Sequence, residues 1–175
     1  MVGRQAHRFQ SPGGSGQRSV SLRRRARGSS VTLYLDTSSL VKLYVAEEES
    51  ESVRRLVESV DIVATAAVAY PEARAALARR RREGGLRPKP FAEAKRALDR
   101  DWPRYLAVDV TAALCADAGD LAERYRLRGY DSVHLAAYLQ VARAAGKGNV
   151  WFSCFDARLT AAAQAAARRL RSTGR

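Results

Sequence analysis

From residue 31 the chain alternates between short apolar runs and longer stretches in which apolar residues recur every three or four positions. The runs "VTLYL", "DIVAT", "RYLAVDV" and "NVWFS" are brief, mostly β-branched or aromatic, and bounded by polar or turn residues, so they read as strands. Between them the period lengthens. "SSLVKLYVAEEE" begins a helix after the first run, and "SESVRRLVESV" continues it with Val53, Leu56, Val57 and Val60 at i, i+3, i+4 and i+7. "YPEARAALARRRREGG" is expected to start a helix near Pro71 and to stop at Gly84 and Gly85. After a Pro-flanked loop, "FAEAKRALDRDW" is helical, as is "TAALCADAGDLAERYRL" with Thr111 as its N-cap. "YDSVHLAAYLQVARAAG" predicts a helix ending at Gly146, and "DARLTAAAQAAARRL" predicts the last one.

Short apolar strands separated by helical crossovers predict an α/β fold whose parallel sheet is covered on both faces. In such sheets ligands bind beyond the carboxyl ends of the strands. Acids stand at those places. Asp36 directly follows the first strand, and Asp156 follows the last strand just before a helix. Glu72 and Asp131 each lie in the first turn of a predicted helix. Taken singly, Asp131 and Asp156 are accounted for by helix capping or by the helix dipole. Asp36, at the end of an apolar strand and matched by the others on one edge, is not. Converging carboxylates repel and require shared protons or a cation. With no His or Cys pair nearby in sequence, the donors suit a hard ion, Mg²⁺ or Mn²⁺. Such an ion polarises a phosphoryl oxygen and lowers the pKa of a water, so in-line hydrolysis of a phosphodiester is expected, with no covalent nucleophile.

Charge supports a polyanionic partner. The 175 residues carry 31 Lys and Arg against 18 Asp and Glu, a net charge of +13. Residues 1–30 hold seven Arg and no acid, together with Gly, Ser and Gln, and are expected to form a disordered basic tail. The folded domain is expected over 31–170, followed by a short tail at 171–175. Cys115 and Cys154 form no CxxC pair, which excludes a disulfide framework or zinc site and fits a reducing, cytoplasmic setting. No apolar run approaches the roughly 20 residues that span a bilayer, so no membrane partner is expected.

The blocks "LYLDTSSLVKLYVAEEES", "YPEARAALARRRREG", "LRGYDSVHLAAYL" and "FSCFDARLTAAA", in that order, resemble those of PIN-domain ribonucleases, specifically the VapC-type toxins of bacterial toxin–antitoxin pairs. The resemblance spans roughly residues 31–167. It implies a PIN-like α/β/α sandwich with a central parallel sheet of four to five strands. It also implies a Mg²⁺- or Mn²⁺-dependent endoribonuclease restrained by a cognate antitoxin, usually as a homodimer. By motif position Asp36, Glu72, Asp131 and Asp156 match the four site acids. Asp36 and Asp131 would bind the metal, and Glu72 and Asp156 would do so directly or through water. Ser38 matches the supporting hydroxyl two residues after the first acid. Cys154 stands where the family commonly has Ser or Thr, with Ser153 one residue earlier as a second supporting hydroxyl.

Several other residues are read more plainly. His134 shares a helical face with Leu135 and Tyr138 and is expected to be a packed or hydrogen-bonded core histidine rather than a ligand. Lys42 and Arg74, near site acids in sequence, are candidates for RNA phosphate contacts. The run Arg79–Arg82 fits a helix C-terminus and fits an RNA or antitoxin contact equally well. Tyr44, Tyr70, Tyr130 and Trp151 are read as core or interface residues. A phosphoacceptor receiver is a poorer match, because "VTLYLDTSS" lacks a second acid and no Lys follows "VWFS". A housekeeping PIN nuclease of RNA processing, or an inactive RNA- or protein-binding PIN module, are the alternatives to a toxin.

Overall fold

The structure is a computed structural model and describes residues 30–170. The predicted N-terminal tail up to Ser29 and the C-terminal tail at 171–175 lie outside the described residues. Four parallel strands form the sheet among the described residues: β1 (Thr32–Leu35), β2 (Ile62–Ala66), β3 (Leu106–Val108) and β4 (Val150–Ser153), in the spatial order β3-β2-β1-β4. Among the described residues seven α-helices surround it: α1 (Thr37–Val41), α2 (Ser50–Glu58), α3 (Ala69–Arg82), α4 (Pro88–Asp101), α5 (Ala112–Tyr125), α6 (Gly129–Ala145) and α7 (Ala157–Arg169).

Side-chain alternation along the strands builds two cores. Leu33 and Leu35 of β1 and Val63 of β2 join Leu40, Val53, Leu77 and Leu98 under α1–α4. Tyr34 of β1 and Ala64 and Ala66 of β2 face the opposite way, with Val150 of β4, into the core of α5–α7. A sheet buried on both faces explains why its strands read as unbroken apolar runs. The expected three-layer α/β/α sandwich is present, with four strands.

Two boundaries differ from expectation. The helix predicted to run from Ser38 into residue 60 breaks after Val41 and resumes only at Ser50. Within the break the Ser50 hydroxyl accepts from Glu47 N–H at 3.0 Å and donates to Val45 C=O at 2.8 Å, while Glu49 takes a left-handed φ of 64°. Those side-chain bonds replace helical ones and turn the chain. The loop expected before Phe91 is already helix: α4 starts at Pro88, where a missing N–H costs nothing.

Candidate active site

Asp36 ends β1 and, contrary to the sequence expectation, also caps α1. Its backbone N–H continues the ladder to Ser153 C=O at 3.1 Å, and Oδ1 accepts from Ser39 N–H at 2.9 Å. Thr65, fully buried on β2, donates to Leu35 C=O at 2.7 Å and anchors the residue before it. Ser38 donates toward both Asp36 oxygens, at 2.8 and 2.9 Å, and accepts from Phe155 N–H at 3.0 Å. Ser38, expected as a supporting hydroxyl, thus lies directly against Asp36. Ser153 lies at Asp36 as well: its hydroxyl pairs with that of Ser39 at 3.0 Å. Cys154 also turns to Asp36, with Sγ 3.1 Å from Oδ2, and accepts from Asp156 N–H at 3.2 Å. Burial and the charge of Asp36 push its thiol up to about 12.

Glu72, in the first turn of α3, is held by residues from three other elements. The Thr37 hydroxyl donates to its Oε2, and His134 Nε2 of α6 lies 3.0 Å from the same oxygen. Tyr34 on β1 closes the array, its hydroxyl 3.1 Å from His134 Nδ1. Burial alone would raise the carboxyl of Glu72. The hydrogen bonds from His134 and Thr37, with the attraction of the imidazole, outweigh it and hold the group below the ordinary Glu range. His134 is buried and hydrogen-bonded as expected, yet its partner is Glu72, one of the four candidate acids. That link, and the parts of Tyr34 and Thr37, were not read from the sequence.

Asp131 and Asp156 form the other half of the edge. Asp131 is half-buried in the first turn of α6, one turn before His134. Asp156 is exposed and caps α7, accepting from Leu159 N–H at 2.8 Å. Burial and the charge of Asp156 raise the carboxyl of Asp131, and Arg128 offsets only part of this. Glu72 and Asp131 line one open cleft of about 740 Å³, together with Cys115, Arg128 and Tyr130.

The acids thus share one sheet edge, but they do not form one tight cluster. Among the described residues no three His, Cys, Asp or Glu side chains stand together as a ready metal cage. The expected convergence of the acids on one cation is not met as a preformed cluster among the described residues. Asp36 and Glu72 are turned to protein donors instead. In kind the donors fit a hard divalent cation: they are carboxylate oxygens, and the charge of Asp156 raises Asp131, with Arg128 and His134 as partial relief.

Lys42 and Arg74 are engaged within the chain. Lys42 Nζ meets Glu47 at 3.2 Å and Glu48 C=O at 2.8 Å, and it lies over the Phe155 ring. Arg74 pairs with Asp99 at 2.9 Å and with the Tyr70 hydroxyl. Within the arginine run, Arg80 pairs with Glu47, while Arg79, Arg81 and Arg82 are exposed. Tyr44 and Tyr70 are half-buried, but Tyr130 is 61% exposed and Trp151 44%, so neither of the latter is core.

This α/β/α layering with acids along one strand edge defines a class of protein, and a family model of the PIN domain matches residues 33–146. The chain belongs to the PIN-domain family. Among curated proteins it is similar to Ribonuclease VapC45 of Mycobacterium tuberculosis (strain CDC 1551 / Oshkosh) and Ribonuclease VapC49 of Mycobacterium tuberculosis (strain ATCC 25618 / H37Rv). Each is 37% identical over 134 residues, covering 77% of this chain and 90% of the relative. Its fold is similar to the crystal structure of VapC20 of Mycobacterium tuberculosis, a sarcin–ricin loop cleaving toxin. There the TM-score is 0.56 at 24% identity, covering 74% of this chain and 94% of that one. No described helix is long and apolar enough to cross a membrane.

Proposed function

We propose that this chain is an endoribonuclease that hydrolyses RNA phosphodiesters with Mg²⁺ or Mn²⁺, and that it acts in the cytoplasm as the toxin of a toxin–antitoxin pair. The observation that carries this reading is the run of acids along one side of the sheet: Asp36 and Asp156 follow β1 and β4, Glu72 is bonded by Thr37 beside Asp36, and Asp131 lies in the field of Asp156. The kinship with VapC ribonucleases over most of both chains supports RNA as substrate and an antitoxin as partner. A divalent ion, when bound, supplies charge stabilisation at a phosphoryl oxygen and a more acidic water.

The chain's own residues divide the remaining work. Asp36 and Asp131 are the acids assigned to hold the ion, with Glu72 and Asp156 contributing directly or through water. Ser38, donating to both oxygens of Asp36, fixes the plane of that carboxylate. Thr37 and His134 fix Glu72. The chain's net charge of +13 favours approach of a polyanion to an edge that is locally acidic. Homodimerisation is part of this proposal.

The test is cleavage of RNA by purified wild type and Asp36→Asn, with Mn²⁺ or excess EDTA, beside growth on expression with and without the neighbouring gene. Cleavage abolished by EDTA and lowered at least about a hundredfold in Asp36→Asn is expected, since even outer-sphere changes at metal sites cost 10–100-fold. Cleavage unaffected by either treatment sinks the enzymatic reading. Growth unaffected in every combination sinks the toxin reading.

A further inference from the structure

Behind Glu72 lies a set of buried polar groups that a row of metal-binding acids does not by itself require. Tyr34 is fully buried and faces α6, where its ring packs against Tyr138 and Phe152. Its hydroxyl is 3.1 Å from Nδ1 of His134, which is 3% exposed. The other ring nitrogen, Nε2, is 3.0 Å from Glu72 Oε2 and 3.0 Å from the Thr37 hydroxyl.

The proton positions follow from chemistry. A phenol carries its proton at neutral pH. In the arrangement the distances allow, it donates that proton to Nδ1, which accepts. The imidazole proton is then on Nε2, aimed at a carboxylate that can only accept. The opposite tautomer would set the Nε2 lone pair against the Glu72 oxygen. With the Thr37 hydroxyl donating to the same Oε2, two donors fix one oxygen and leave Oε1 for another partner.

We propose that Tyr34 and His134 are positioning residues for Glu72: the Tyr34 hydroxyl locks the imidazole in its Nε2-protonated tautomer, and the imidazole holds the Glu72 carboxylate in the orientation the site needs. The inference rests on the proposed function, in which Glu72 is a site acid. It assigns a role to a hydroxyl on the middle of a strand, two residues before the first acid. Orientation of a ligand by its hydrogen-bonded neighbours is a general means of tuning metal sites.

The full chain contains two histidines, His7 and His134, so ¹⁵N labelling gives a spectrum simple enough to read the proton position. Long-range ¹H–¹⁵N correlation at about pH 8 reports which ring nitrogens carry protons, and His134→Gln assigns the signal. The wild type should show Nε2 protonated and Nδ1 bare. Tyr34→Phe keeps the ring packing and removes the hydroxyl, so an Nδ1-protonated population should appear. Mn²⁺ affinity by calorimetry and kcat on RNA should fall by about tenfold or more, with KM little changed. His134→Gln, which retains a donor and an acceptor, should keep more Mn²⁺ affinity than His134→Leu. Should His134→Leu not fold, Tyr34→Phe still decides. A wild-type proton on Nδ1 overturns the inference, and so does a Tyr34→Phe protein with unchanged tautomer and Mn²⁺ affinity. Lower melting temperature alone, with both unchanged, marks a merely structural hydroxyl and overturns it as well. If Asp36→Asn is inactive while Tyr34→Phe behaves as wild type, only this inference falls. If Asp36→Asn cleaves normally, it is the nuclease reading that falls.

Discussion

Asp36 and Glu72 sit among donors, whereas Asp131 and Asp156 sit in each other's field with Arg128 as partial relief. In the first half of the edge Ser38, Ser39, Cys154, Thr37 and His134 all meet a carboxylate. In the second half the partner of Asp156 is its own helix, and burial with like charge raises Asp131. The scaffold thus satisfies one pair of acids and leaves Asp131 of the other unfavourably placed. A cation gains most where repulsion is uncompensated, so the second half is where loading should be felt most strongly.

The largest effect should come from the ion itself. Mn²⁺ at a hundred times its Kd should stabilise the wild type by about 2.7 kcal/mol, read by thermal unfolding, and much less in Asp131→Asn. Equal stabilisation of both proteins would erase the distinction between the halves. Next, in EDTA, Glu72→Gln should destabilise by about 1–2 kcal/mol, since charge-assisted hydrogen bonds to His134 and Thr37 are weakened. Asp131→Asn in EDTA should have the opposite sign. It should stabilise by on the order of 0.5 kcal/mol, kept small because the group is partly exposed and screened. Both variants should lose RNA cleavage, so activity and stability separate only at Asp131.

The pH dependence sharpens the same contrast. Glu72 is depressed below its ordinary value of 4.5, so its contribution is complete above that value and is lost as pH falls through the folded pKa. Asp131 is raised above 3.8, so protonation favours its folded form, and its penalty develops as pH rises from there through the folded pKa. Acid titration of stability in EDTA should therefore flatten in Glu72→Gln and steepen in Asp131→Asn. Salt should give the smallest effect. Raising ionic strength from about 0.01 to 1 M shortens the Debye length from about 30 to 3 Å and should shrink the Asp131→Asn gain while leaving the Glu72→Gln loss nearly unchanged.

The elements were legible where one physical signal dominated. Strands buried on both faces had to be apolar, and Thr111 and Gly146 mark helix ends by their own chemistry. The break after Val41 was hidden because Leu43, Tyr44 and Val45 prolong an apolar pattern that the Ser50 hydroxyl then diverts. The four acids were legible as candidates: Asp36 because a carboxylate at the end of a buried strand is conspicuous, the others from their places at predicted helix starts and in the family-like blocks. Their partners were not. Tyr34 and His134 are a hundred residues apart and meet only because strand alternation turns Tyr34 toward α6. His134 in isolation reads as packing, and its meaning depends on a neighbour that only the layered fold supplies. The looseness of the acids was equally hidden, since sequence order says which edge they share and nothing of the distances between them.

The register of β1 against β4 sets a timetable for synthesis. Thr32 pairs with Val150, so the first strand of the sheet waits for nearly the last. At roughly 5–20 residues per second, a nascent chain spends on the order of ten seconds with Asp36 already made and Asp156 not yet translated. Throughout that interval the proposed site lacks the side that Asp156 supplies.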